Sequence, residues 1–397
     1  MEELYTLEKE VGRGSYGVVF EGHMAKTGRK VAVKRLPCSN PECIELYLQE
    51  LWAMRVTAKN HVNVIALHSC LLQTGPRTLK PLKPGKLPPR LVESVLKGSV
   101  VGARKSHDTE RRTDTVCRLQ DRTNTVQARA KLQDKTKSNA SEPTTPQRPQ
   151  NRARKRPAER EEEDQRGPLR CLALWLVMEY CDGGDLNQYL LSRPPDAQRN
   201  HSMVQQLCSA VAFLHGLGIT HRDLKPDNVL VCVTPKGPVF KVADFGLSKM
   251  SEGLVNGDLS RQHFSSTCGS DFYMAPEVWG GLTYTAQADI FSLGVMFWAV
   301  LERITFVEEG TTQEQLGAYV CKARSGWVMP LGEALWENSD LQLCIPMKSK
   351  RAPPLPPPPG PAMCTLLLDM LASNPDTRPP ADQLEARVCS ALKEDSH

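Results

Sequence analysis

Apolar positions in the first part of the chain come in short runs at strand spacing. Val18-Val19-Phe20 reads as a strand returning from a glycine-rich stretch, Lys26-Thr27-Gly28 as a turn, and Val31-Ala32-Val33-Lys34 as the end of the next strand. A helical period follows from about Cys43 to Thr57. Leu174 to Tyr180 is a continuous apolar run of strand length, and Cys181-Asp182-Gly183-Gly184-Asp185-Leu186 breaks it into a turn and a helix start. Val239-Phe240-Lys241-Val242-Ala243 alternates again as a strand. The run from Ile290 to Leu301 reads as a buried helix and is too short to cross a bilayer, so no membrane partner is expected. The predicted class is α+β, with a small β-rich N-terminal lobe and a larger, mainly helical C-terminal one.

Two segments break this pattern. Residues 101–168 are rich in Arg, Thr, Gln, Lys and Pro, lack a sustained apolar period, and predict a disordered insertion between two strands of the small lobe. Pro353-Pro354-Leu355-Pro356-Pro357-Pro358-Pro359-Gly360-Pro361 predicts polyproline II, serving either as a stiff spacer or as a ligand for an aromatic-lined groove; the spacer is the simpler reading. The expected division is 1–100 and 169–180 for the small lobe, 181–392 for the large lobe including the Pro-rich 346–361, and 393–397 as a tail.

Charge sharpens the first exception. Residues 101–168 carry 17 Lys plus Arg against 11 Asp plus Glu, leaving 33 against 34 for the rest of the chain. The excess positive charge therefore belongs to the insert. Within it, Arg152-Ala153-Arg154-Lys155-Arg156-Pro157 has the composition of a nuclear-import signal, with an ordinary solvated charge run as the alternative. A nuclear import receptor is thus an expected partner. Nucleic acid is disfavoured, because aromatic side chains do not interleave with the basic ones. The 13 cysteines, an odd number without a Cys-x-x-Cys pair, argue against a disulfide framework and a zinc site. Met1-Glu2-Glu3-Leu4 is acidic and lacks an apolar signal region, so secretion is not expected and a reducing compartment is.

Candidate chemistry concentrates in His221-Arg222-Asp223-Leu224-Lys225-Pro226-Asp227-Asn228. A carboxylate there can accept a proton from a hydroxyl, an amide oxygen can ligate a hard cation, and an ammonium can neutralise phosphate oxygens. Twenty-one residues after Asp223 comes Asp244-Phe245-Gly246, a second metal-binding carboxylate. Gly12-Arg13-Gly14-Ser15-Tyr16-Gly17-Val18-Val19 has glycines that let backbone pass close to phosphates. Here the glycines lead into a hairpin rather than a helix, with Lys34 on the next strand, which disfavours a dinucleotide-binding unit. The following helical segment offers the acidic residues Glu42, Glu45 and Glu50 as partners of Lys34, and we choose Glu50 because Leu51, Met54 and His61-Val62-Asn63-Val64-Ile65 after it are similar to the pattern that follows the corresponding helix in protein kinases.

In this order and spacing the motifs resemble those of eukaryotic protein kinases, over nearly the whole chain outside the insert. The resemblance implies a two-lobed kinase fold, ATP and Mg²⁺ as cofactors, and protein substrates. It makes Asp223 the base and Lys225 the cation on the γ-phosphoryl, with Asn228 and Asp244 holding Mg²⁺ and Lys34 on the α and β phosphates. Residues 12–17 would cover the phosphates. Met178 would be the gatekeeper, the backbone from Glu179 to Cys181 would meet the adenine edge, and Asp185 would reach the ribose. Val19 and Ala32 above, and Leu230 below, would wall the purine. Lys225 two residues after the base resembles serine/threonine kinases.

Ala275-Pro276-Glu277 closes a segment of 34 residues counted from Asp244, containing Ser265, Ser266, Thr267 and Ser270. Ser266 and Thr267 are the leading phosphosites, with Arg222 as the cation for a phosphate, and Ser270 matches a substrate-proximal hydroxyl position. Asp289 matches an aspartate that braces the catalytic loop. Arg378, in Asn374-Pro375-Asp376-Thr377-Arg378-Pro379, matches the arginine that pairs with Glu277. The alternative to catalysis is a pseudokinase-like scaffold acting through the insert and the Pro-rich loop; the presence of Lys34, Glu50, Asp223, Asn228 and Asp244 together favours an active enzyme.

A closer resemblance is to the PDLIM-interacting kinase-like group of nuclear serine/threonine kinases. It rests on Val92-Glu93-Ser94-Val95-Leu96-Lys97-Gly98, Gly183-Gly184-Asp185-Leu186-Asn187-Gln188-Tyr189, Gly332-Glu333-Ala334-Leu335-Trp336-Glu337-Asn338 and the catalytic loop. It implies nuclear residence and links to actin-associated PDZ-LIM proteins. The insert through 104–168 and the proline run depart from the group.

Overall fold

The computed structural model describes residues 5–14, 17–38, 41–57, 61–75, 78–82, 172–250, 271–282, 285–307, 312–321, 328–347 and 356–395. The basic insert, the Val92 to Gly98 stretch, Ser15, Tyr16 and the four hydroxyl residues from Ser265 to Ser270 lie outside these.

The small lobe is a six-stranded antiparallel sheet in the order β1-β2-β3-β6-β4-β5. Its strands are β1 (Tyr5–Gly14), β2 (Gly17–Met24), β3 (Lys30–Pro37), β4 (Leu67–Gly75), β5 (Thr78–Pro81) and β6 (Ala173–Glu179). The continuous apolar run of β6 follows from burial on both faces of the sheet. Leu174 and Leu176 join the main core with Ile44, Leu51 and Met54 of helix α1 (Pro41–Thr57), whereas Ala173, Trp175 and Val177 join a second cluster with Val31 and Val33. Each such fully buried leucine stabilises the fold by roughly 1.5–3 kcal/mol. Helix α1 begins two residues before the predicted start, with Pro41 in the first turn, where its missing N–H goes unneeded. Ile44, Tyr47, Leu51 and Met54 form its inward stripe, and Glu50 shares the buried side.

The large lobe follows β6. It comprises α2 (Leu186–Leu191), α3 (Ala197–Gly216), β7 (Ile219–Thr220), the hairpin β8 (Val229–Thr234) and β9 (Gly237–Val242), β10 (Lys249–Met250), α4 (Pro276–Trp279), α5 (Gln287–Leu301), four short strands, α6 (Leu331–Glu337), α7 (Pro361–Met370) and α8 (Ala381–Glu394). Helix α5 is buried along almost its whole length, as its unbroken apolar run predicts. It starts three residues earlier than predicted, which places Asp289 inside its first turn and not ahead of it. Pro361 opens α7 rather than closing an extended run, and Asp395 caps that helix by accepting bonds from the N–H groups of Ala362 and Met363, both 3.0 Å. The packed large lobe thus runs through residue 395, past the expected tail boundary. Among the described residues, no helix is long and apolar enough to cross a membrane.

Candidate active site

The floor of the cleft between the lobes is the turn from His221 to Asn228. It could not hold its shape on local bonds alone, because Arg222 has φ 71° and Asp244, which follows β9, has φ 59°. Non-glycine residues in that region cost on the order of 1–3 kcal/mol each and persist only when neighbours impose them. The imposing group is Asp289. Its Oδ2 accepts from His221 N–H at 2.8 Å and its Oδ1 from Arg222 N–H at 2.8 Å, while His215 Nε2 lies 2.8 Å from Oδ2. Burial by itself would raise the Asp289 carboxyl; the bond and field of His215, the field of His221 and the Arg222 amide bring it below the usual carboxylate range. His221 in turn places its Nε2 3.0 Å from the Ala243 carbonyl and its ring edge-on to Phe245, 5.2 Å between centroids. The turn and the Asp244 segment are therefore one unit.

On that floor the predicted residues converge. Asn228 donates from Nδ2 to Asp223 Oδ2 at 2.9 Å and to the Asp223 carbonyl at 2.7 Å. With the amide nitrogen so committed, Oδ1 is the atom Asn228 offers a cation. Lys225 Nζ lies 3.3 Å from Asp223 Oδ2. Asp244 is reached from the roof, since Lys34 Nζ on β3 lies 3.0 Å from its Oδ1 and 2.7 Å from Glu50 Oε1 on α1. Glu50 is thus the partner chosen among the three acidic residues. Burial alone would lower the Lys34 ammonium, but Glu50 and Asp244 outweigh it and hold it above its ordinary value. Burial likewise pushes Asp244 up, and Lys34, the Gly246 N–H and His221 more than reverse this. The Asp244 side chain remains 44% exposed, so it faces the cleft as an open ligand. A hard cation favours such oxygen donors, and the residues present fit Mg²⁺.

The residues expected to meet the adenine also lie together. Ala32 on β3 pairs with Met178 on β6, and Val19 on β2 pairs with Lys34. Leu230, on β8, is half-buried and bridges to Asp185. Glu179 gives its side chain to the Ala66 N–H at 2.7 Å and to Lys241 at 3.0 Å, so this carboxylate serves to anchor the connecting segment. Its own N–H bonds the Ala66 carbonyl. Asp185 caps α2 by accepting from the Gln188 N–H at 2.9 Å. In the glycine-rich hairpin, Gly12 pairs with Val19 and Gly14 with Gly17. A side chain at Gly17 would meet the Arg35 carbonyl at 2.3 Å, so glycine there is required by close packing of β2 on β3. Arg13 pairs with Glu10 at 2.8 Å on the exposed rim.

Further contacts support the site. Tyr180 donates to Glu21 at 3.0 Å, and Lys30 pairs with Glu21 at 2.5 Å while lying over the Tyr180 ring, which ties the connecting segment to β2. Asn63 donates to Gln206 at 2.6 Å and to the Phe240 carbonyl at 2.9 Å, joining the segment between α1 and β4 to α3 and β9. Farther off, Arg378 and Glu277 form two parallel bonds of 2.8 and 2.7 Å in the interior, a bracing pair and not a reacting one.

A buried lysine–glutamate pair, an aspartate–asparagine turn and a facing metal carboxylate, set between a β lobe and a helical lobe, are the parts of a phosphoryl-transfer site. Comparison with known proteins agrees: residues 171–388 match the protein kinase domain family, and residues 5–97 match the protein tyrosine and serine/threonine kinase family. This chain belongs to the protein kinase family. It is 36% identical over 172 residues to the serine/threonine-protein kinase unc-51 of Caenorhabditis elegans, covering 40% of this chain and 19% of that protein. It is 35% identical over 168 residues to the serine/threonine-protein kinase DCLK2 of Rattus norvegicus and of Homo sapiens, covering 42% of this chain and 20% of each relative. The match therefore spans about a fifth of these relatives' length.

Proposed function

We propose that this chain is a serine/threonine protein kinase that transfers the γ-phosphoryl group of ATP to protein hydroxyls, with Mg²⁺ as cofactor. The observation that carries the reading is the convergence of Lys34, Asp223, Lys225, Asn228 and Asp244 on one cleft. Asp223 orients the acceptor hydroxyl and takes its proton, held in aim by Asn228. Lys225, beside Asp223, offsets charge on the transferred group. Lys34, pinned by Glu50, positions the α and β phosphates. Asn228 Oδ1 and the Asp244 carboxylate would hold Mg²⁺, which when bound neutralises charge on the phosphate oxygens. The hydroxyl preference follows Lys225 and the relatives' printed names. Labelled ATP and Mg²⁺ should give phosphoserine or phosphothreonine with wild type and not with Asp223→Asn; labelling confined to tyrosine would overturn the specificity.

Control by phosphorylation at Ser266 or Thr267 is part of this reading, with Arg222 as the pairing cation. Replacing both by alanine should lower activity, and equal activity would remove the idea. By its resemblance to the PDLIM-interacting kinase-like group, the protein resides in the nucleus, uses an import receptor through residues 152–156, and associates with actin-linked PDZ-LIM proteins. Deleting 152–156 should shift a tagged chain to the cytoplasm; unchanged distribution would sink the import role.

A further inference from the structure

The segment leaving β6 runs alongside β8 and is held there by two backbone bonds and one to a side chain. Gly183 N–H donates to the Val231 carbonyl at 2.8 Å, Val231 N–H to the Gly184 carbonyl at 2.9 Å, and Val233 N–H to Asp182 Oδ1 at 2.8 Å. The approach is close enough that a side chain on Gly183 would meet the Val231 carbonyl at 2.7 Å. Across this seam two thiols face each other: Cys181 Sγ and Cys232 Sγ lie 2.8 Å apart. Both are half-buried, within reach of small solutes, whereas Cys38, Cys70, Cys208 and Cys364 are buried. The proposed chemistry of phosphoryl transfer uses neither sulfur.

We propose that Cys181 and Cys232 form a peroxide-responsive dithiol whose disulfide staples the adenine-facing segment to β8. Its effect on nucleotide binding rests on the kinase reading above; the linkage itself does not. The chemistry balances with hydrogen peroxide as oxidant. The Cys232 thiolate attacks one peroxide oxygen, breaking the O–O bond, to give a sulfenic acid and hydroxide, which takes up the proton the thiol released. Cys181 then attacks that sulfenic sulfur, forming the S–S bond and expelling water, so two thiols and one peroxide become a disulfide and two waters. The surroundings favour Cys232 as the first thiolate: its contact with the Cys181 thiol lowers it and outweighs burial and the Glu179 carboxylate, with Lys241 a smaller help. The same contact and burial raise Cys181, leaving it the proton. Disulfide geometry demands Cα atoms a few ångströms apart on segments that do not diverge, and the three bonds across the seam provide such segments. Once linked, the Cys181 backbone is no longer free to adjust to a purine edge.

The full chain, reduced and then treated with hydrogen peroxide, is alkylated, digested without reductant and analysed by mass spectrometry. The expected result is a peptide pair linked through residues 181 and 232, reversed by dithiothreitol and missing from Cys181→Ser and Cys232→Ser. Cys232→Ala repeats the test should the serine disturb packing. Recovery of both cysteines as separate alkylated or sulfinic forms in wild type would overturn the proposal. Binding of a fluorescent ATP analogue with Mg²⁺ should weaken about tenfold on oxidation, since misplacing a positioning element by about 1 Å can cost more than that; it should not weaken in Cys232→Ser. Equal affinity of reduced and linked wild type would overturn the regulatory role. A linked peptide in a chain that binds no nucleotide even when reduced would instead sink the proposed activity and leave the dithiol standing.

Discussion

The floor and the roof of the cleft are held by different physics. The floor is built from backbone in unfavourable conformations that one buried carboxylate, Asp289, restrains through bonds to His221, Arg222 and His215. The roof is an ordinary antiparallel sheet that reaches the Asp244 carboxylate through a lysine held between Glu50 and Asp244. Losing Asp289 strands several buried polar groups at once. Losing Lys34 removes a charge from a scaffold that the sheet register already specifies. The contrast implies that stability and activity are coupled in the floor and separable in the roof.

The largest effect should come from Asp289→Ala. Removing one partner from a buried charged network typically costs about 3–5 kcal/mol, and the loop it restrains would lose its aim, so both denaturant stability and turnover should fall sharply. Lys34→Met should lower kcat/KM by about 10²–10³, the usual cost of one transition-state donor, with a smaller shift in Tm, because burial already raises the Glu50 carboxyl and lets it take up a proton once its cation is gone. Comparable stability losses for the two would break the comparison.

A third prediction uses pH. The folded-state Asp289 carboxyl lies below its ordinary value of 3.8, so its stabilising contribution is complete above that value and fades as pH falls through the lower folded one. Asp289→Asn should therefore flatten the decline in stability below about pH 4, as followed by urea unfolding at several pH values; an unchanged acid limb would count against Asp289 as the restraining charge. The smallest effect is expected for Tyr180→Phe, which deletes one bond to Glu21. About 0.5–1.5 kcal/mol of stability should be lost, with a modest rise in the KM for ATP and turnover unchanged. A fall in turnover like that of the floor variant would show that the roof latch governs chemistry after all.

Much of this was legible in the linear chain because the reacting groups are packed into short, ordered stretches. Asp223, Lys225 and Asn228 share one turn, and turn chemistry confines them to the same few ångströms. Lys34 was readable from its strand, and Glu50 from the apolar residues that follow it. The continuous run of β6 identified a strand but not its two separate cores, since the alternation of side chains is invisible when both faces are apolar. The start of α5 was misjudged by three residues because Asp289 is polar and only its buried partners make that position part of the helix.

The contacts that escaped the linear reading join residues far apart along the chain with no spacing rule between them. Tyr180 with Glu21, Asn63 with Gln206 and Cys181 with Cys232 are ordinary residues until folding brings them together. Sequence by itself determined the α+β class and which functional groups are available for phosphoryl transfer, because hydrophobic period and short-range motif spacing are local properties. Only the tertiary structure decided that Asp289 restrains the turn through both carboxylate oxygens and His215, that the amide nitrogen of Asn228 is committed to Asp223, and that two thiols meet beside the segment leaving β6. Those are matters of direction and burial, and both depend on the packing of elements that local sequence does not encode.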